Sequence, residues 1–179
     1  PLRCHADQLG DSGAAAAAAR LGARSADHLN ATSPAGVAAL AASETVALLL
    51  PASTFMLRAR PAPARALIEA GAIVAIATDA NPGTAPVLSM PETIAMACSL
   101  YGLTPDEALT ASTLNAAAAL GLAATTGSIE VGKRADLVVL DAPSFRHVPY
   151  RPGHAPVMRT VAGGRTAWRR PNPDEGPAA

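Results

Sequence analysis

Four short apolar runs recur along the first 80 residues at nearly one spacing, with a helix-forming stretch between each pair. "LRCHAD" is followed by "GAAAAAARLGA", closed by Gly22. "RSADHL" is followed by "TSPAGVAALAAS", where Ser33 suits an N-cap and Pro34 the first helical position. "TVALLLP" is followed by "PAPARALIEAG", ending at Gly71, and "AIVAIATD" closes the series at Asp79. The run ends lie about 23 residues apart from His5 to His28, about 23 to Pro51 and about 27 to Thr78. Strand and helix alternating at that period predict βα units on a parallel sheet, an α/β fold. Half of the residues are hydrophobic but only 3% are aromatic, and alanine supplies much of that half, so the predicted core is aliphatic and helix-rich.

Beyond the repeat the character changes twice. Residues 89–124 read as helical. Thr104, Pro105 and Glu107 form a capping box in "LTPDEAL", and "STLNAAAALGL" makes a second helix. From Gly127 the pattern is β: a turn at Val131-Gly132-Lys133, an apolar strand from Leu137 to Leu140, and a hairpin around Gly163-Gly164. The expected division is a βα part over 1–124, a β module over 125–168 and a disordered, proline-rich tail over 169–179.

The formal charge is zero, which argues against a nucleic-acid partner. No apolar stretch reaches the roughly 18 residues of a membrane span. Two cysteines make no disulfide framework, and a reducing, cytoplasmic setting is the expectation. The first residue is Pro1, and "PLRCHAD" reads as the end of an element, so the chain is expected to be processed or part of something longer.

Polar residues collect at the run ends: His5 with Asp7 and Gln8, then His28, then Asp79 with Asn81. In a parallel βα barrel these ends converge on one face, where active sites lie. Two imidazoles and a carboxylate there suit a divalent metal of a hydrolase. Taken singly, each has a plainer reading. A histidine at a strand end is commonly hydrogen-bonded structure, and an Asp before Asn-Pro-Gly is commonly a turn former. Alternation turns Cys4 away from His5 and into the core. Arg58 and Arg60 follow a run end and face either solvent or a substrate.

"HADQLGDSGAAAAAARLGARSADHL", "TVALLLPASTFMLR", "AIATDANPGTAPVLSM", "MACSLYGLTPDEALTASTLNAAAALGL" and "GSIEVGKRADLVVLD", in this order, resemble the imidazolonepropionase family of the amidohydrolase superfamily. The last motif is generic to amidohydrolases; "HADQ", "SADHL" and "TDANPGT" together are far more specific. The resemblance implies a partial TIM (β/α)8 barrel with part of a small β-sandwich module. It implies hydrolysis of the ring amide of 4-imidazolone-5-propanoate to N-formimidoyl-L-glutamate, in histidine degradation, with one divalent metal ion, zinc or iron. By resemblance His5 and Asp79 are metal ligands, and His28 and Asp79 are the catalytic groups. Gln8, Asn81, Gly83 and Thr84 bind substrate, with main-chain amides near Gly83 suited to its anionic side.

The chain also departs from the family. The His-x-His pair of the first barrel strand is missing, since the only histidines are 5, 28, 147 and 154. About four of eight βα units are represented, which implies a C-terminal portion, inactive by itself. Ser43-Glu44 stand where a glycine-containing turn is usual. A half barrel would leave open sheet edges and expose Val46, Leu48 and Val74 on its inner side, favouring association, a homodimer included. Two other readings stay open: a different amidohydrolase, such as a nucleobase deaminase, and a non-catalytic truncated product or half-barrel pairing module.

Overall fold

The computed structural model describes residues 1–171. β1 (Arg3–Ala6) leads through α1 (Ala14–Arg20) to β2 (Ser25–His28), and α2 (Pro34–Ala41) leads on to β3 (Val46–Leu49). Two helices, α3 (Pro51–Met56) and α4 (Ala64–Glu69), precede β4 (Val74–Ile76). The four strands form one sheet in the order β1-β2-β3-β4, all parallel, with β1 and β4 as its edges. α5 (Met90–Tyr101), α6 (Pro105–Ser112) and α7 (Leu114–Leu120) follow. The predicted capping box of α6 is present in both directions, Glu107 N donating to Thr104 Oγ1 and Thr104 N to Glu107 Oε2.

Register sorts the side chains onto two faces, because partners across a parallel ladder share a face. Cys4, Ala6, Ala26, Ala47, Leu49, Val74 and Ile76 share one of them. They pack with Leu40 of α2, Leu67 of α4 and Ile94 of α5 into the main core, Cys4 at its margin as alternation predicts. The opposite face carries His5 and Asp27 in one row with Leu48 and Ala75, and Val46 one row below. Here Val46 and Ala75 bury against Ala119, with Leu48, Ile73 and Ala118 around them.

The expectation that Val46, Leu48 and Val74 would lie bare on the inner side needs correction. Val46 is 1% and Val74 4% exposed, and Leu48 is half-buried. α7 folds back over the lower part of that face, pinned by Asn115 Nδ2 donating to the Val74 carbonyl at 2.7 Å and Arg3 Nη2 donating to the Ala119 carbonyl at 3.0 Å. Val74 pairs with Ala47 and so belongs to the helix-covered face.

α3 is also new. Its residues continue the "TVALLLP" run, and Pro51 reads as a strand stop, yet it stands at the start of a six-residue helix, where its missing N–H costs nothing. Ser43, in the turn expected to hold a glycine, closes that turn itself: its Oγ donates to the Leu40 carbonyl and accepts from Thr45 N.

β5 (Leu137–Leu140), the short α8 (His147–Tyr150), β6 (Val157–Ala162) and β7 (Arg165–Arg169) complete the chain. The three strands form a separate antiparallel sheet, with Gly163 and Gly164 in the left-handed turn that a tight hairpin requires. The tail expected from 169 begins later. Arg169 closes β7, and Arg170 donates from N to the Met158 carbonyl and from Nη1 to Asp141. Residues 172–179 of that expected tail lie outside the described residues. No described helix is long and apolar enough to cross a membrane.

Candidate active site

β1 delivers His5 and then breaks at Asp7, whose φ of 48° is left-handed. That break is held by the Asp7 carboxylate, which is 4% exposed. Oδ1 accepts from Ser12 N, Ser12 Oγ and Ala14 N, and Oδ2 from Ala15 N and the Thr32 hydroxyl. Burial alone would raise the Asp7 pKa and is the largest single influence. The Ser12, Ala15 and Ala14 hydrogen bonds together outweigh it and hold the carboxyl below its ordinary range. Asp7 thereby organises the first βα loop and ties it to the second.

Gln8 then turns back onto the strand. Its Oε1 lies 2.9 Å from His5 Nε2, and its Nε2 donates to Ser53 Oγ at 3.4 Å. A carboxamide oxygen only accepts, so Nε2 is the donor of the His5 contact. Ser53 is 1% exposed, on the first turn of α3, so the helix missed in the sequence anchors one site residue.

β2 delivers His28 by a change of backbone. Strict alternation pairs His28 with Ala6 and sends it to the helix-covered face. Instead φ is 79° at His28 and 64° at Leu29, and the imidazole stacks on His5 with ring centroids 4.3 Å apart. His28 is 6% exposed. Burial first, then the neighbouring His5, lower its pKa; Asp79 and Asp27 pull the other way without prevailing. The ring is therefore neutral at pH 7.

β4 stops at Ile76, and the chain reaches Asp79 with a φ of 55°, away from the extended conformation. Asp79 is half-buried and near enough to His28 to raise its pKa. His5, His28 and Asp79 are thus brought to one end of the sheet. Four of the five left-handed non-glycine residues among those described, Asp7, His28, Leu29 and Asp79, mark these strand ends; the fifth, Arg58, follows α3. Backbone strain of this kind, about 1–3 kcal/mol per residue, collects at functional sites.

The Asn81 loop is closed on itself. Asn81 Oδ1 accepts from Gly83 N at 2.9 Å, Thr84 N at 2.7 Å and the Thr84 hydroxyl, while its Nδ2 donates to the Asp79 carbonyl. The main-chain amides expected to meet an anion donate to Asn81 instead.

Sequence reading passed over other residues here. Asp27 sits in the His5 row, and its Oδ1 is buried without a partner. Ser25 Oγ and His28 Nδ1 are likewise unpartnered, so three of the four such atoms among the described residues lie on β2. Their signal was the two-residue alternation of "SADH", polar at Ser25 and Asp27. Asn30 and Tyr101 meet at Thr54: Asn30 Nδ2 donates to Thr54 Oγ1, which also bonds the Tyr101 hydroxyl, each at 2.8 Å. Burial pushes the Tyr101 hydroxyl up to about 12, the Thr54 bond acting against it.

Imidazole and carboxylate are suitable donors for a divalent metal. Among the described residues, however, no three His, Cys, Asp or Glu side chains come together as a group that could hold one. His5 and Asp79, at one end of the sheet, are donors of suitable chemistry but do not make a complete ligand set among the described residues.

The amidohydrolase family model matches residues 5–167. The chain is 50% identical over 163 residues to the imidazolonepropionase of Rubrobacter xylanophilus, covering 91% of this chain and 39% of that protein. It is 50% identical over 167 residues to the imidazolonepropionase of Porphyromonas gingivalis, covering 93% and 40%. Among solved structures it resembles a zinc-bound adenosine deaminase from Xanthomonas campestris, with 26% identity and a TM-score of 0.80 over 93% of this chain and 45% of that one. The chain spans about two fifths of the length of the curated relatives it matches.

Proposed function

The chain belongs to the amidohydrolase family, and from that premise we propose that it is part of an imidazolonepropionase. The reaction is hydrolysis of the ring amide of 4-imidazolone-5-propanoate to N-formimidoyl-L-glutamate, in the cytoplasm. The observation that carries this reading is the 50% identity, over nine tenths of the chain, to proteins of that name. The other amidohydrolase reading, nucleobase deamination, has the Xanthomonas adenosine deaminase behind it at only 26% identity. Assay of the complete protein separates them. Supplied with 4-imidazolone-5-propanoate it should yield N-formimidoyl-L-glutamate, and supplied with adenosine or guanine it should release no ammonia. The reverse pattern sinks the proposal.

In this reading His5 and Asp79 would hold one divalent ion, zinc or iron, completed by ligands from outside this chain. When bound, such an ion acidifies water and polarises a carbonyl. Gln8 fixes the tautomer of His5, as outer partners of ligand histidines do, and reaches the substrate beside it. His28, neutral and pressed against His5, is the base-competent imidazole nearest the reacting groups. Asp79 carries the proton toward the leaving nitrogen, and Asn81 with Gly83 and Thr84 forms the loop next to the substrate. The partner is a small molecule, not a nucleic acid or a membrane, and the assembly is a homodimer.

Catalytic zinc sites keep three protein ligands, and this chain supplies two. The isolated chain is therefore expected to hold metal weakly and to be inactive. Metal analysis after exhaustive dialysis should find far less than one equivalent. One tightly retained zinc or iron per chain would show a ligand set closed within these residues.

A further inference from the structure

We infer that Thr54 of α3 is a positioning residue for His28, acting through Asn30 with Tyr101 as its outer anchor. The use of His28 in the reaction rests on the proposed function; its placement by Thr54 does not.

His28 and Leu29 are consecutive left-handed residues, with φ of 79° and 64°, and neither is glycine. Such a conformation persists only where the surroundings hold it. On one side Leu29 N donates to the Ala6 carbonyl at 3.0 Å, tying the end of β2 to the end of β1. On the other side the hold passes through Asn30, the next residue. Both hydrogens of its carboxamide are committed, Nδ2 donating to Thr54 Oγ1 and to the Arg60 carbonyl, each at 2.8 Å. A carbonyl only accepts, so the Arg60 contact also fixes which end of the carboxamide is nitrogen.

Thr54 is held in turn. Its hydroxyl bonds that of Tyr101, the last residue of α5, at 2.8 Å, and Asn30, Thr54 and Tyr101 are all buried. The bonds thus run from α5 through α3 to the residue that follows the strained pair. Beside Thr54, Ser53 receives Gln8, so two successive residues of α3 brace the ends of β2 and β1. A satisfied buried polar network specifies one arrangement. This one acts on His28 through the backbone of residues 28–30, and so by placement.

The readout is the contact between the His5 and His28 rings, whose centroids lie 4.3 Å apart, followed in the chain as a nuclear Overhauser effect between ring protons. Thr54→Val keeps the shape and removes the hydroxyl, and should lose that signal. Thr54→Ser keeps the hydroxyl and should retain it. Tyr101→Phe removes only the outer bond and should weaken it. Thr45→Val is the structural control. Thr45 is also buried, its Oγ1 donates to the Ala23 carbonyl at 2.8 Å, and it precedes β3 at the opposite end of the sheet from His28. Its loss should lower the urea midpoint as Thr54→Val does and leave the ring contact intact. A wild-type signal in Thr54→Val or Tyr101→Phe, or equal loss in Thr45→Val, overturns the inference; if Thr54→Val does not fold, Tyr101→Phe decides alone. In the complete protein Thr54→Val should also cut kcat for 4-imidazolone-5-propanoate about tenfold with KM little changed, as small misplacements of a reacting group do. A lost ring contact with kcat unchanged would remove His28 from the reaction and leave its placement by Thr54 standing. A complete protein that leaves 4-imidazolone-5-propanoate intact would refute the proposed reaction alone.

Discussion

Asp79→Asn in the complete protein should reduce imidazolone-propionate hydrolysis by about 10² to 10⁴, the usual cost of removing a positioned acid or base. Stability should barely change. Asp79 sits at a φ of 55°, a conformation that Asn tolerates at least as well as Asp, and the substitution keeps the shape and the backbone carbonyl that Asn81 grips. What Asn removes is the charge beside His28 and one acceptor oxygen. Asp79→Ala separates the two roles: it loses the same chemistry but adds the strain of a left-handed alanine, about 1 kcal/mol. Turnover at constant substrate and urea midpoints for the three proteins would decide. Normal hydrolysis by Asp79→Asn would leave Asp79 as the Asx residue of its turn and nothing more. Equal loss of activity and stability would mean that the loop itself had collapsed.

The sheet was legible because burial on both faces forces parallel strands into apolar runs, and four such runs recur with helix formers between them. Caps were legible for a related reason: Ser33 and the Thr104–Glu107 pair act on amides three residues away, a distance the sequence displays. His5, His28 and Asp79 could be assigned to one end of the sheet for the same topological reason. How they meet could not. His28 leaves its alternation row through a left-handed φ, and no pattern of residue types signals that a strand will end by rotating its last side chain. Asp27 stayed hidden beside the more conspicuous histidine. The Gly83 and Thr84 amides were read as anion donors because their spacing to Asn81 fits an Asx turn equally well; only coordinates show which partner they chose. α7 over the inner face depends on contacts across some seventy residues, from Val46 to Ala118 and Ala119, beyond any local pattern.

The stability of the first βα loop should depend on Asp7 more than on any exposed charge. Five donors converge on its two carboxylate oxygens, at least two on each. Asn is nearly isosteric and accepts a φ of 48°, so backbone and volume give no reason for loss. Yet whichever way the Asn amide is turned, its NH₂ faces at least one main-chain N–H that can only donate, Ala15 N on one side or Ser12 N and Ala14 N on the other. Stranding a buried amide donor costs on the order of 2 kcal/mol, and Asp7→Asn should lower unfolding free energy at pH 7 by about that much. The pH dependence follows from the sign of the shift. Because the folded pKa of Asp7 lies below the ordinary carboxyl value, its contribution is complete above the unfolded pKa of about 4 and is lost as pH falls through the folded value. A protonated Asp7 then resembles the Asn variant, so the gap between the two proteins should close in acid. Urea unfolding of both at pH 7 and at a series of lower pH values measures this directly. A gap under about 1 kcal/mol at pH 7, or one that persists unchanged into acid, would mean that these donors find other partners and that Asp7 does not hold the loop that presents His5 and Gln8.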